Sequence, residues 1–244
     1  AANRGFIAGN WVDAVEHCVA FKINKPVFQT ALMDRTLPSR KERYEAWRKP
    51  LSEATMADLK AYAAGLTPLG IEWYAGHNPI AAEKKIQSGD EGDFQVLLGW
   101  ACAVEELGGH LCIKYDDHRF PISQGDMARF GSAREADVHV LVRLHRELKQ
   151  RHPKAKILFC PPFYWGPNSP ALYPEKRDDY LFALGAKLPP DIEIFWTGPR
   201  VKSTKVTPDM TAWITKRLRR RPVYWQNGFA IPHMFLYHYV TDPI

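Results

Sequence analysis

His110-Leu111-Cys112-Ile113-Lys114-Tyr115-Asp116-Asp117 is the stretch that decides the reading of this chain. Its first six residues form a short run, largely apolar and aromatic, preceded by Gly108-Gly109, and it ends in two adjacent carboxylates. Such a run, bounded by glycine and followed by polar residues, reads as a buried strand of a parallel sheet. Similar runs lie on both sides of it. Gly5 to Gly9, Pro26 to Leu32 and Gly70 to Gly76 come before; Lys156 to Cys160, Asp191 to Trp196 and Pro222 to Trp225 come after. Helical patterns separate them. Ser52 to Gly65 has apolar residues at helical spacing, as does Phe94 to Leu107, closed by the two glycines. Ala133 to Arg151 carries the stripe Val138, Leu141, Val142 and Leu148, and Thr207-Pro208 reads as a cap followed by a first-turn proline.

Strands alternating with helices predict βαβ units and a parallel sheet. At 244 residues the expected fold is an α/β (β/α)8 TIM barrel. The eighth strand falls at Phe235 to Val240 or is missing beyond Ile244, so the last strand is expected to be incomplete or absent. No short repeat or low-complexity segment divides the chain. Residues 1–244 read as a single barrel domain.

The composition is that of a globular chain, 45% hydrophobic and 25% charged, with no run long enough to span a membrane. The first residues lack the pattern of a signal peptide. A soluble chain is expected, and a secreted or periplasmic one is compatible if a leader has been removed. Part of the net charge of +6 lies in Lys216-Arg217-Leu218-Arg219-Arg220-Arg221, which reads as a solvated helix end. A nucleic-acid partner would require further basic stripes with interleaved aromatics, and none is expected. Cys18, Cys102, Cys112 and Cys160 form no C-x-x-C pair. They read as buried thiols, and a zinc site is not expected without paired spacing.

Active sites of such barrels lie at the C-terminal ends of the strands. There the sequence places Gly9, His77-Asn78, Asp116-Asp117-His118, Tyr164-Trp165, Trp196-Thr197 and Trp225-Gln226-Asn227. Aromatic faces together with amides and carboxylates suit a sugar. The adjacent Asp116 and Asp117 are the candidate catalytic pair, since close like charges push one pKa upward and glycoside cleavage needs an acid beside a second polar group. A surface Asp-Asp turn or a metal-binding pair is the alternative on the dipeptide alone. Tyr164 is a hydroxyl donor or an interface aromatic, Asn227 a ligand or a turn residue, and Trp196 and Trp225 pocket wall or core. Gly9 either allows close approach of a ligand or ends its strand. His77, His118 and His233 lack metal-ligand spacing.

Taken in order, these segments resemble the catalytic domain of glycoside hydrolase family 84, the β-N-acetylglucosaminidase and O-GlcNAcase family. Arg4-Gly5-Phe6-Ile7-Ala8-Gly9 is similar to its opening strand, and Trp47-Arg48-Lys49-Pro50 to its Trp-Arg-Glu-Pro. Tyr74 to Pro79 sits at a comparable third strand end. Tyr115-Asp116-Asp117 matches its Asp-Asp pair, Cys160-Pro161-Pro162-Phe163-Tyr164 its Cys-Pro-Thr-x-Tyr, Trp196-Thr197-Gly198-Pro199 its Trp-Thr-Gly-Pro, and Trp225-Gln226-Asn227 its Trp-Asp-Asn.

The resemblance implies retaining, substrate-assisted cleavage of β-linked N-acetylhexosamine, with the 2-acetamido oxygen forming an oxazoline. It implies that Asp116 orients the acetamido N–H and that Asp117 protonates the leaving oxygen and then activates water. Tyr164 would hold the acetamido group, Asn227 would hold the acetamido group or the departing oxygen, Gly9 would contact a ring hydroxyl, and Trp196, Thr197 and Trp225 would line the pocket. The partner implied is a glycan or glycoprotein carrying N-acetylglucosamine or N-acetylgalactosamine, and no metal or organic cofactor is implied. Two departures touch the far hydroxyls. The family's lysine after strand two is absent from Ala31-Leu32-Met33-Asp34-Arg35 or replaced there by Arg35, and no acid follows Asn227 in Gly228 to His233. The acetamido side is intact, so the N-acetyl requirement is better founded than the gluco configuration. A catalytically silent glycan-binding domain is the alternative reading.

Overall fold

A computed structural model of the chain describes residues 11–20, 25–29, 37–117, 120–168 and 174–225. Its strands are β1 (Val27–Gln29), β2 (Tyr74–His77), β3 (His110–Lys114), β4 (Ile157–Cys160), β5 (Ile192–Trp196) and β6 (Val223–Tyr224). They lie side by side in chain order, every neighbouring pair parallel. The helices are α1 (Trp11–Ala20), α2 (Arg40–Glu45), α3 (Glu53–Leu66), α4 (Glu91–Glu106), α5 (Gln124–Phe130), α6 (Ala133–Arg151), α7 (Arg177–Lys187) and α8 (Pro208–Leu218). A doubly wound open sheet reverses its strand order at a switch point, whereas a barrel keeps chain order. Six parallel strands without a reversal are the arc of a (β/α) barrel. The expected strand Gly5 to Gly9 and the expected eighth strand at Phe235 to Val240 lie outside the described residues. No helix among the described residues is long and apolar enough to cross a membrane.

Local chemistry sets the helix starts. Ser39, Ser52, Asp90, Ser123, Ser132 and Thr207 each sit in extended backbone and accept the N–H three residues on. This satisfies an amide that has no partner inside the helix. Beyond α4, Gly108 takes φ +78, a left-handed conformation that ends the helix and turns the chain into β3. The expected strand from Gly70 begins later, at Tyr74. Gly70 is instead the left-handed cap of a 3-10 turn, Thr67–Leu69, and the amide of Ile71 is still bonded to the Leu66 carbonyl.

Strand alternation sorts side chains into two layers. Leu111, Ile113, Ile157, Phe159, Ile192, Ile194 and Trp196 pack outward against Leu97, Leu141, Leu144, Leu181 and Leu184 of the helices. Each buried leucine of this layer is worth about 1.5–3 kcal/mol relative to exposure. The inward residues form a separate cluster with no helical member: Tyr74, Cys112, Leu158, Cys160, Tyr164, Trp165 and Phe195, with Val27, Val223 and Trp225 against it.

The N-terminal end of the barrel is closed by ions. Lys25 lies 3.1 Å from Glu72 and 2.9 Å from Glu193, Lys156 pairs with Glu72, and the single Tyr74 hydroxyl proton has both carboxylates within hydrogen-bond distance. Burial pushes the Glu72 carboxyl up, but the bonds from Lys156, Tyr74 and Lys25 outweigh it and bring it down to about 2. The basic run at the end of α8 is less solvated than expected. Lys216, Arg219 and Arg221 are exposed. Arg217 forks onto Asp178, and Arg220 donates to the carbonyls of Leu188, Pro189 and Ile192, tying α8 to the loop before β5.

Candidate active site

The inward face of β3 carries Cys112 and Lys114, and the next inward position is Asp116, two residues past the end of the strand. Lys114 is 5% exposed and its ammonium lies 3.6 Å from Asp116 Oδ2. The other oxygen, Oδ1, is buried and has no hydrogen-bond partner among the described residues. Continued alternation would send Asp117 to the outer face. Instead its backbone turns left-handed, with φ +63. Aspartate is one of the few residues besides glycine that tolerate this region. The turn leaves both carboxylates at the same strand end.

The two aspartates have different partners. Tyr164, from the loop after β4, donates its hydroxyl to Asp117 Oδ1 at 2.8 Å. Burial first, and then the neighbouring Asp117 carboxylate, hold the phenol well above its usual range, so it remains a donor throughout the working range of pH. Trp225 packs against Phe195 at 5.1 Å and Tyr164 at 6.4 Å between ring centroids, and the Lys114 ammonium lies 4.8 Å above its ring. Beneath them, burial pushes the Cys112 thiol up to about 12 and the Cys160 thiol well above the usual range. Neither offers a thiolate nucleophile.

Asp116, Asp117, Tyr164 and Trp225 are thus brought together, as the strand ends suggest. Trp196 and Thr197 stand behind them. Trp196 belongs to the outer layer, and its indole N–H donates to the Gly166 carbonyl. The Thr197 amide donates to the Tyr164 carbonyl at 2.8 Å, and its single hydroxyl proton has the carbonyls of Arg200, at 3.0 Å, and Tyr164, at 3.3 Å, within reach. The Trp225 amide in turn donates to the Trp196 carbonyl at 2.8 Å. This strand end therefore carries the backbone of Tyr164 and Trp225. Gly9 and Asn227 lie outside the described residues, as do His118, His233 and the stretch Ala31 to Arg35.

His77 is fully buried between the rings of Trp47 and Trp100, and burial pushes its imidazole down to about 3. It is a neutral packing group. No group of three or more His, Cys, Asp or Glu among the described residues could hold a metal ion. Sequence reasoning passed over Lys114. The signal that could have found it is its place: a lysine at an inward position of an otherwise apolar strand, two residues before Asp116.

Comparison with known proteins adds the following. The β-N-acetylglucosaminidase family model matches residues 40–230. The rat and mouse proteins named Protein O-GlcNAcase are each 32% identical over 117 residues, which is 48% of this chain and 12% of theirs. The match therefore spans about an eighth of the length of these relatives. A solved Thermobaculum terrenum O-GlcNAc hydrolase mutant superposes with a TM-score of 0.73 at 24% identity, covering 88% of this chain and 43% of that one. That likeness shows the barrel fold.

Proposed function

The chain belongs to the β-N-acetylglucosaminidase family, glycoside hydrolase family 84, and on that premise we propose that it cleaves β-linked N-acetylglucosamine from a glycan or glycoprotein by substrate-assisted catalysis. The observation that carries the reading is the split environment of the pair: Asp116 faces an ammonium and Asp117 accepts from a phenol. Two carboxylates with separate partners suit separate roles.

In the first step the acetamido carbonyl oxygen of the substrate attacks the anomeric carbon. The bond to the leaving oxygen breaks, and Asp117 gives that oxygen its proton. Positive charge grows on the acetamido nitrogen as the oxazoline forms, and Asp116 Oδ1 accepts its N–H. This role fits an oxygen that is buried and otherwise without a partner. In the second step Asp117 takes a proton from water, whose oxygen attacks the anomeric carbon and opens the oxazoline with a second inversion, so the overall outcome is retention. Trp225 supplies an apolar wall for the sugar. This differs from the usual retaining scheme, in which a protein carboxylate is the nucleophile.

Release of a fluorogenic leaving group from β-GlcNAc, β-GalNAc and β-glucoside, by this chain and by Asp117→Asn, tests the reading. Turnover confined to an N-acetylated sugar and lost in the variant is the expected result, and the panel identifies the hexosamine. Equal cleavage of the glucoside refutes acetamido assistance. Sugar binding without turnover points to a glycan-binding domain.

A further inference from the structure

Among the described residues Lys114 is the only lysine or arginine that is fully buried. Taking an ammonium out of water is costly unless a counter-charge compensates it. The titratable groups around it are Asp116 beyond its own strand, Cys112 on β3, Cys160 on β4 and Tyr44 on α2. Both thiols are held protonated by burial. Asp116 is the carboxylate it faces, with Oδ2 at 3.6 Å, and the Trp225 ring covers the ammonium at 4.8 Å. Burial alone would draw the lysine's pKa down. Asp116 first, and then Cys160, Cys112 and Tyr44, together outweigh this, and the group stays charged.

The pairing is one-sided. Lys114 engages Oδ2 and leaves Oδ1 buried and without a partner among the described residues. A dry carboxylate oxygen left unsatisfied is destabilising, and such atoms are rare where no ligand completes them. We propose that Lys114 is a positioning residue that, by pairing with one oxygen of Asp116, neutralises this carboxylate and presents its other oxygen to the amide N–H of the substrate. The proposal rests on the glycosidase reading above. It adds a residue to the site and gives it a task performed through Asp116, without contact to the sugar.

Lys114→Met keeps most of the side-chain volume and removes the charge; Lys114→Arg keeps the charge. With 4-methylumbelliferyl β-GlcNAc, the Met variant is expected to lose kcat by about 10- to 100-fold, the scale typical of groups that orient a functional residue, while KM changes by less than about threefold. Its acidic limb in kcat/KM moves to higher pH, because a carboxylate without its counter-charge takes up a proton sooner. Thermal stability is expected to fall, since the Asp116 carboxylate is left without its buried counter-charge, so kcat is read on the folded fraction. Lys114→Arg recovers part of the rate. In parallel, 13C NMR of the aspartate carboxyls, with the Asp116 signal assigned by its loss in Asp116→Asn, reads the titration directly. The midpoint is expected to rise in Lys114→Met. Product from the unmodified chain with an unmoved midpoint, or with unchanged kcat in a folded Met variant, overturns the role of Lys114 alone. No product from the unmodified chain sinks the glycosidase reading and the amide-orienting role with it, whatever the NMR shows.

Discussion

Replacing Tyr164 by phenylalanine removes one hydroxyl and leaves a ring of nearly the same shape. That hydroxyl lies 2.8 Å from Asp117 Oδ1 on a tyrosine that is 5% exposed. A hydrogen bond to a charged group in such a place is worth about 1.5–3 kcal/mol. At about 1.4 kcal/mol per decade, its loss predicts a fall in kcat/KM of about 10- to 150-fold. The ring contacts with Trp165 and Trp225 survive the change, so the melting temperature should move little. The decisive assay is a double-mutant cycle with fluorogenic β-GlcNAc, using Tyr164→Phe, Asp117→Asn and the pair. If the hydroxyl acts through Asp117, removing it from the Asn variant costs little more. Losses that multiply across the cycle would mean that Tyr164 works on the substrate independently, and would refute the coupling inferred from the geometry.

Other outcomes follow from the same structure. Asp117→Asn should harm substrates with poor leaving groups far more than activated aryl ones, because a good leaving group needs less protonation; equal losses across a leaving-group series would remove Asp117 from the role of acid. Gly185→Ala should lower the melting temperature by several degrees and leave kcat/KM unchanged in the folded fraction: a Cβ there would lie 2.1 Å from the Arg217 carbonyl oxygen of α8, and forcing packed helices apart costs about 1–3 kcal/mol. The stability of the chain should fall in acid. His77 is held down at about 3, so below its ordinary value of 6.5 the unfolded chain binds a proton that the folded chain refuses, and urea midpoints should drop from pH 7 to pH 5 less steeply in His77→Gln. Glu72, depressed to about 2, contributes stability that is fully present above its ordinary value of 4.5 and lost as pH falls toward 2. Allowing for solvent screening of this partly exposed network, the contribution is about 1–2 kcal/mol, and it should be absent from an acid titration of Glu72→Gln.

Much of the architecture was legible because its signals are local. Apolar runs stopped by Gly or Pro, a stripe at helical spacing in α6, and the Thr207-Pro208 start of α8 depend on neighbours a few residues away, and the structure places elements there. The late start of β2 was missed because Gly70, read as the beginning of a strand, spends its freedom on ending a turn. Arg220 was missed because its acceptors are carbonyls 28 to 32 residues distant, which no pattern in a charge run reveals. Trp196 and Trp225 look alike as aromatics at strand ends. Only their phase in the strand separates them, outward for the first and inward for the second, and that phase is defined by what each side packs against.

The sequence by itself determined the parallel α/β class, the family, and the presence of two carboxylates at the end of β3, since composition, periodicity and ordered motifs are written along the chain. The tertiary structure decided what distinguishes those carboxylates. Asp116 shares the inward face of β3 with Lys114, and Asp117 meets a phenol 47 residues later in the chain because the strands are parallel neighbours and the backbone turns left-handed at Asp117. The reason is physical: adjacent acids in sequence have the same chemistry until burial and partners from other strands make their surroundings unequal.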